Sequence, residues 1–212
     1  MKNQPWPQTM YGIFPCPVWV VKRDSNLSSK EDKDIEDIIK EGMKKPWGGN
    51  STSNNTYIFN SKLKEIKQFC EQQIKIYAEE VINPKEDLDF YITQSWLNIT
   101  NPGGFHHKHS HQNSIISGVF YISTEEDDKI TFNDSDKVKK LIAFEPKEYN
   151  IWNSSVWTFS VNTNELILFP SWLDHGVEVN EKATTDRISL SFNTFVRGNL
   201  GKPKELSGLI LK

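Results

Sequence analysis

A chain of 212 residues, 36% of them hydrophobic and 12% aromatic, can bury one substantial core, so a single domain over 1–212 is expected. A formal net charge of −3 gives no electrostatic reason to expect nucleic acid or a membrane surface as partner. Two cysteines, Cys16 and Cys70, in different contexts make neither a disulfide framework nor a Cys-rich metal site; no run approaches a membrane span and MKNQPWPQTMYGIFP lacks a signal-type apolar stretch, so a cytoplasmic location is expected.

The first third reads as a helical cover, about 28–83. Ser28 followed by Glu31 has the form of a capping box, and Ile35, Ile38, Ile39 and Met43 then recur at helical spacing until the Pro46–Gly49 break. Gly48–Asn55 reads as a polar loop. A second helix is expected from Ser61, with Leu63, Ile66, Cys70, Ile74, Tyr77 and Val81 on one face, ending before Pro84. On that stripe Cys70 reads as a small buried apolar residue rather than a nucleophile.

From about Leu88 the period becomes two: Phe90, Ile92, Gln94, Trp96 and Asn98 alternate with Tyr91, Thr93, Ser95, Leu97 and Ile99. Further β-like runs are expected at 115–123, 129–132, 141–144, 155–161, 165–169 and 187–196, with Asn, Asp, Gly and Pro clusters between them. The charge-rich stretch 134–140 reads as a solvated loop. The pattern is mainly β with N-terminal helices, a barrel or jelly roll whose core covers about 88–197.

All five histidines fall in two short segments, FHHKHSH at 105–111 and WLDHG at 172–176. Four imidazoles within six positions provide neutral nitrogen ligands suited to Fe, Zn, Cu or Ni. In extended chain, residues two apart share a face, so His109 and His111, or His107 and His109, can look into one cavity. His175 follows the apolar run 166–169 and can bring a third nitrogen. Only three of the 25 basic residues are arginine. One, Arg187, opens the strand RISLSFN on the same face as Ser189, where a buried guanidinium calls for an anion such as a carboxylate.

The order His-x-His, SGVFYI, LILFPSWLDHGV and RISLSFN over residues 94–196 resembles the Fe(II)/2-oxoglutarate-dependent dioxygenases, in particular a small bacterial and phage group related to prolyl hydroxylases. YGIFPCPVW at 11–19 resembles that group's opening strand. The resemblance implies a double-stranded β-helix with Fe(II) held by His109, His111 and His175. It also implies 2-oxoglutarate bound by Arg187 and Ser189, helped by Tyr121, with Asn98 at the cosubstrate's other end. O2 is then the second cosubstrate, and the hydroxylated C–H bond belongs to a protein side chain or a small molecule. The usual ligand set is two histidines and a carboxylate, so a three-histidine site and one completed by Asp134, Asp174 or His107 both stay open. Two other readings also stay open: a cupin-type three-histidine dioxygenase without 2-oxoglutarate, and a non-catalytic metal- or ligand-binding barrel.

Overall fold

A computed structural model describes residues 9–44, 47–134 and 146–212. Chain order begins with β1 (Trp19–Lys22) and α1 (Ser29–Lys40). The capping box is present: Ser28 Oγ accepts from the Glu31 backbone N–H, and Glu31 Oε2 accepts from that of Ser28. Next come β2 (Met43–Lys44), β3 (Asn50–Ser53) and α2 (Lys64–Tyr77), whose last turn continues as a π-turn over Ala78–Ile82. The second helix starts three residues later than expected because Leu63 takes a left-handed conformation, φ 55, at its N-cap. The remaining strands are β4 (Asp89–Thr100), β5 (His106–His109), β6 (Ile116–Ser123), β7 (Lys129–Asn133), β8 (Val156–Ser160), β9 (Glu165–Pro170), β10 (Asp174–Val177), β11 (Arg187–Leu200) and β12 (Leu209–Leu211).

Five of the β-runs and the long alternating strand become β4, β6, β7, β8, β9 and β11, while the expected strand at 141–144 and most of the loop at 134–140 lie outside the described residues. Two expectations need correction. The opening strand is at Trp19–Lys22 rather than 11–19, and the supposed polar loop holds β3, which pairs with β4. Its residues, Asn-Ser-Thr-Ser, carry no apolar alternation, so the strand is set by backbone pairing and by polar contacts inside the fold rather than by hydrophobic period.

The strands form two antiparallel sheets. The larger follows the order β1-β9-β6-β11-β4-β3-β2, with β12 on the end of β11; the smaller follows β5-β10-β7-β8. Alternation gives the larger sheet two different faces. One carries Leu97, Phe120, Leu166, Leu168, Leu190 and Phe192, packed against Ile35 and Ile38 of α1 and Ile66, Cys70 and Ile74 of α2. Cys70 is fully buried there, and burial pushes its thiol well above the ordinary value, so it is an inert packing residue. The other face meets the smaller sheet through Tyr121, Ile167 and Phe169 against Ile130 and Phe132. The protein is therefore mainly β, with helices on the outer face of one sheet. Among the described residues no helix is long and apolar enough to cross a membrane.

Candidate metal and carboxylate site

Between the sheets lies a cleft that opens to solvent. Its smaller-sheet wall holds the histidines. β5 and β10 are neighbours, and His109 faces His175 directly across the pair, with ring centroids 4.4 Å apart. Two residues on, Val177 pairs with His106 rather than His107. That one-residue shift is a β-bulge in β5, and it decides which imidazoles look inward. Strict alternation would bring His107 in beside His109. The bulge instead turns His106 into the cleft and leaves His107 exposed.

His111 lies past the end of β5, in irregular chain rather than in the extended segment expected. Its backbone N–H donates to the Ser171 carbonyl at 2.9 Å, which ties it to the turn ahead of His175. The Ser171 hydroxyl is in turn held by those of Ser114 and Ser117. The result brings one ring nitrogen each from His109, His111 and His175 within 4.8 Å of one another. A second group, His106, His107 and His109, meets the same limit but shares His109 and includes an exposed member. Asp134 and Asp174 belong to neither group.

The protonation of these rings follows from their surroundings. A carbonyl only accepts, so His175 Nδ1, 3.0 Å from the Leu173 oxygen, carries the hydrogen; likewise His109 Nδ1, 2.8 Å from the His107 oxygen. Each ring therefore keeps the Nε2 lone pair for a ligand. Burial pushes His175 down to about 3, and His111 and His106 down to about 4, and it also lowers His109. All four are neutral at pH 7, the form that binds a metal.

The larger sheet supplies the polar wall in two rows. Thr52, Asn98, Ser189 and Tyr121 stand opposite one another on β3, β4, β11 and β6, and Asn50, Thr100 and Arg187 form the next row. Asn98 Nδ2 donates to Ser191 Oγ at 2.9 Å, and its Oδ1 accepts from Thr52 Oγ1 at 3.0 Å. Burial pushes the Tyr121 phenol far above its ordinary value, so it stays protonated as a donor. Arg187 is 7% exposed, donating from Nη1 to the Lys129 carbonyl at 3.3 Å and from Nη2 to Thr100 Oγ1 at 3.2 Å. Its Nε has no partner. Among the described residues no carboxylate forms an ion pair with it.

The cleft thus gathers His109, His111, His175, Arg187, Ser189, Tyr121 and Asn98, all expected from the sequence. It also brings in Asn50, Thr100 and His106 and is braced by Ser171, none of which was among the site residues expected from the sequence. Thr100 continues the inward alternation of Trp96 and Asn98 and was legible in principle. Asn50 was hidden by the reading of its segment as a loop, Ser171 contributes through its backbone, and His106 enters through a bulge that no residue pattern announces.

A family model described as putative 2OG-Fe(II) oxygenase matches residues 94–193. Among curated proteins nothing matches. Solved structures of similar fold include a prolyl-4-hydroxylase from Pseudomonas putida, 15% identical with a TM-score of 0.54, covering 84% of this chain and 93% of that one. Another is HygX from Streptomyces hygroscopicus with nickel, 2-oxoglutarate and hygromycin B bound, 10% identical with a TM-score of 0.53, covering 84% and 82%. A prolyl hydroxylase from Trichoplax adhaerens, in complex with a hypoxia inducible factor peptide fragment, is 11% identical with a TM-score of 0.54, covering 84% and 83%. At these identities the likeness is one of fold. The family match over 94–193 spans every histidine and Arg187, and this stretch of the chain is similar to the 2OG-Fe(II) oxygenases.

Proposed function

We propose that His109, His111 and His175 hold Fe(II), that Arg187, Ser189 and Tyr121 hold the distal carboxylate of 2-oxoglutarate, and that O2 is used to hydroxylate a C–H bond with release of succinate and CO2. The residues fit both groups. Three neutral imidazoles converge, His109 and His175 with Nε2 free, and the same cleft holds a buried guanidinium with no carboxylate partner among the described residues. The observation that carries the reading is the buried Arg187 charge, which meets no carboxylate among the described residues, because a buried charge is costly until it meets a counter-charge. The all-histidine set alone also suits a cupin-type dioxygenase without 2-oxoglutarate, but that reading leaves the arginine unexplained.

When bound, the iron and the keto acid supply the oxidising chemistry; the protein supplies position and dryness. The hydrogen bonds from Nδ1 of His109 and His175 fix ring orientation. Tyr121 donates toward the carboxylate, and Asn98 keeps one amide hydrogen for the cosubstrate's other end. Val119, Ile130 and Phe169 line the cleft with apolar surface that excludes water. Half-buried Trp96, its ring 5.8 Å from that of His111, gives the hydroxylated substrate an apolar wall beside the metal. The substrate is a protein side chain or a small metabolite. The whole described chain works as one domain, its strands about 88–197 wound as a double-stranded β-helix and the N-terminal segment covering one face.

Calorimetry of anaerobic, Fe(II)-loaded protein tests the reading: 2-oxoglutarate should bind and produce a weak visible charge-transfer band. Metal-loaded protein that takes up no 2-oxoglutarate would refute it.

A further inference from the structure

The row that contains Arg187 extends across three strands. Arg187 on β11 stands opposite Thr100 on β4, which stands opposite Asn50 on β3. All three line the cleft and none is more than 7% exposed. A guanidinium has donors only, so Thr100 Oγ1 accepts from Arg187 Nη2 and has one hydrogen left to give. It gives that hydrogen to Asn50 Oδ1 at 2.8 Å. The orientation of the Asn50 amide is thereby fixed: the oxygen is engaged with Thr100 and Nδ2 is left as a donor. That Nδ2 is buried and has no partner, like Arg187 Nε. Two buried orphan donors on either side of one hydroxyl make a site that wants an acceptor.

We propose that Asn50 Nδ2 is a second donor to the carboxylate that Arg187 anchors, so that the N-terminal segment helps select a dicarboxylate cosubstrate. The proposal rests on the 2-oxoglutarate reading above. Backbone contacts hold Asn50 in place for this task. Gly48 and Gly49 adopt positive φ angles of 84 and 75, and their carbonyls accept from the N–H groups of Phe105, at 2.6 Å, and Asn101, at 3.0 Å. A Cβ on Gly49 would stand 2.9 Å from Gly104 Cα, so only glycine lets the two turns approach this closely. Asn50 follows directly from that clasp.

The test is calorimetric titration of the Ni(II)-loaded full chain with 2-oxoglutarate and with 2-oxopentanoate, which keeps the keto acid and chain length but has a methyl in place of the second carboxylate. In Asn50→Ala the affinity for 2-oxoglutarate should fall about tenfold or more, the loss of one charge-assisted hydrogen bond. Affinity for 2-oxopentanoate and nickel content should not change. Asn50→Asp keeps the oxygen that Thr100 donates to but turns the donor into a negative acceptor, so it should weaken 2-oxoglutarate further. Equal losses for the two ligands would show a purely structural role, and wild-type 2-oxoglutarate affinity in either variant would overturn the proposal. Should Asn50→Ala not fold, Asn50→Asp decides alone. Wild-type protein that binds no 2-oxoglutarate would bring down the functional reading itself, whereas tight wild-type binding with unaffected variants brings down only the role of Asn50.

Discussion

Arg187→Gln separates a ligand-holding arginine from a structural one. The guanidinium makes two hydrogen bonds at 3.3 and 3.2 Å to neutral oxygens and leaves Nε unpaired, so ligand-free protein gains little from it. Breaking a buried ion pair costs about 3–5 kcal/mol because a charge is stranded. Here no acid partner is stranded among the described residues, and the expected loss is no more than about 1 kcal/mol. For a chain of 212 residues, where a kilocalorie moves Tm by about 2–4 °C, that is a shift below about 4 °C, against about 6–20 °C for a structural pair. Binding behaves differently. A charge-assisted bidentate contact to carboxylate is worth about 2–4 kcal/mol, or about 30- to 1000-fold in affinity. Scanning calorimetry of metal-loaded protein reads both effects together. At a hundredfold excess over Kd, ligand adds about 2.7 kcal/mol, so 2-oxoglutarate should raise the wild-type Tm by about 5–10 °C. In Arg187→Gln that rise should shrink to about 3 °C or less while metal content holds. A large drop in the ligand-free Tm with an intact 2-oxoglutarate response would refute the reasoning.

Three further outcomes are expected. His111→Ala should lower metal affinity as much as His109→Ala or His175→Ala, with His107→Ala nearly silent; equal metal content in wild type and His111→Ala, measured by plasma emission, would remove His111 from the site. The metal-free protein should lose stability in acid: imidazoles near 6.5 when unfolded but held at about 3 to 4 in the fold at His175, His111 and His106 leave the unfolded state binding more protons as pH falls below about 6.5, at about 1.4 kcal/mol per pH unit for buried His175 alone. Urea titrations at pH 7 and pH 5 check this, and identical midpoints would contradict burial of neutral rings. Ser28→Ala removes the α1 cap and should cost about 1 kcal/mol in stability without changing metal or 2-oxoglutarate affinity, because α1 packs on the sheet face away from the cleft.

Where side-chain chemistry and period agree, the sequence was readable. Alternation from Phe90 to Asn98 located β4, and the string RISLSFN located the inward pair Arg187 and Ser189, because a half-buried strand writes its two faces into residue type. The histidines declared a metal by clustering alone. Which of them turn inward was not readable, since a bulge shifts the face by one residue and leaves no compositional trace. β3 escaped for a related reason: all four of its residues are polar, and its inward side chains meet other polar groups rather than a hydrophobic core. Polar strands beside a polar cavity look like loops until their partners are known.

The histidine segment is compact in sequence, whereas everything that makes it a specific site is distant. Thr100 and Arg187 are 87 positions apart, and Asn50 and Thr100 are 50 apart. Non-local pairing of this kind closes slowly. During synthesis the four imidazoles of 106–111 therefore emerge and wait while His175 and Arg187 are still to be added. Four close imidazoles grip a divalent ion even in an unstructured chain, and binding to the unfolded state subtracts from the stability a ligand confers. Metal should consequently stabilise this protein by less than its affinity for the folded cleft implies, and 2-oxoglutarate, whose proposed anchor at Arg187 and Thr100 is assembled only once β4 and β11 have paired, should be the more faithful reporter of folding.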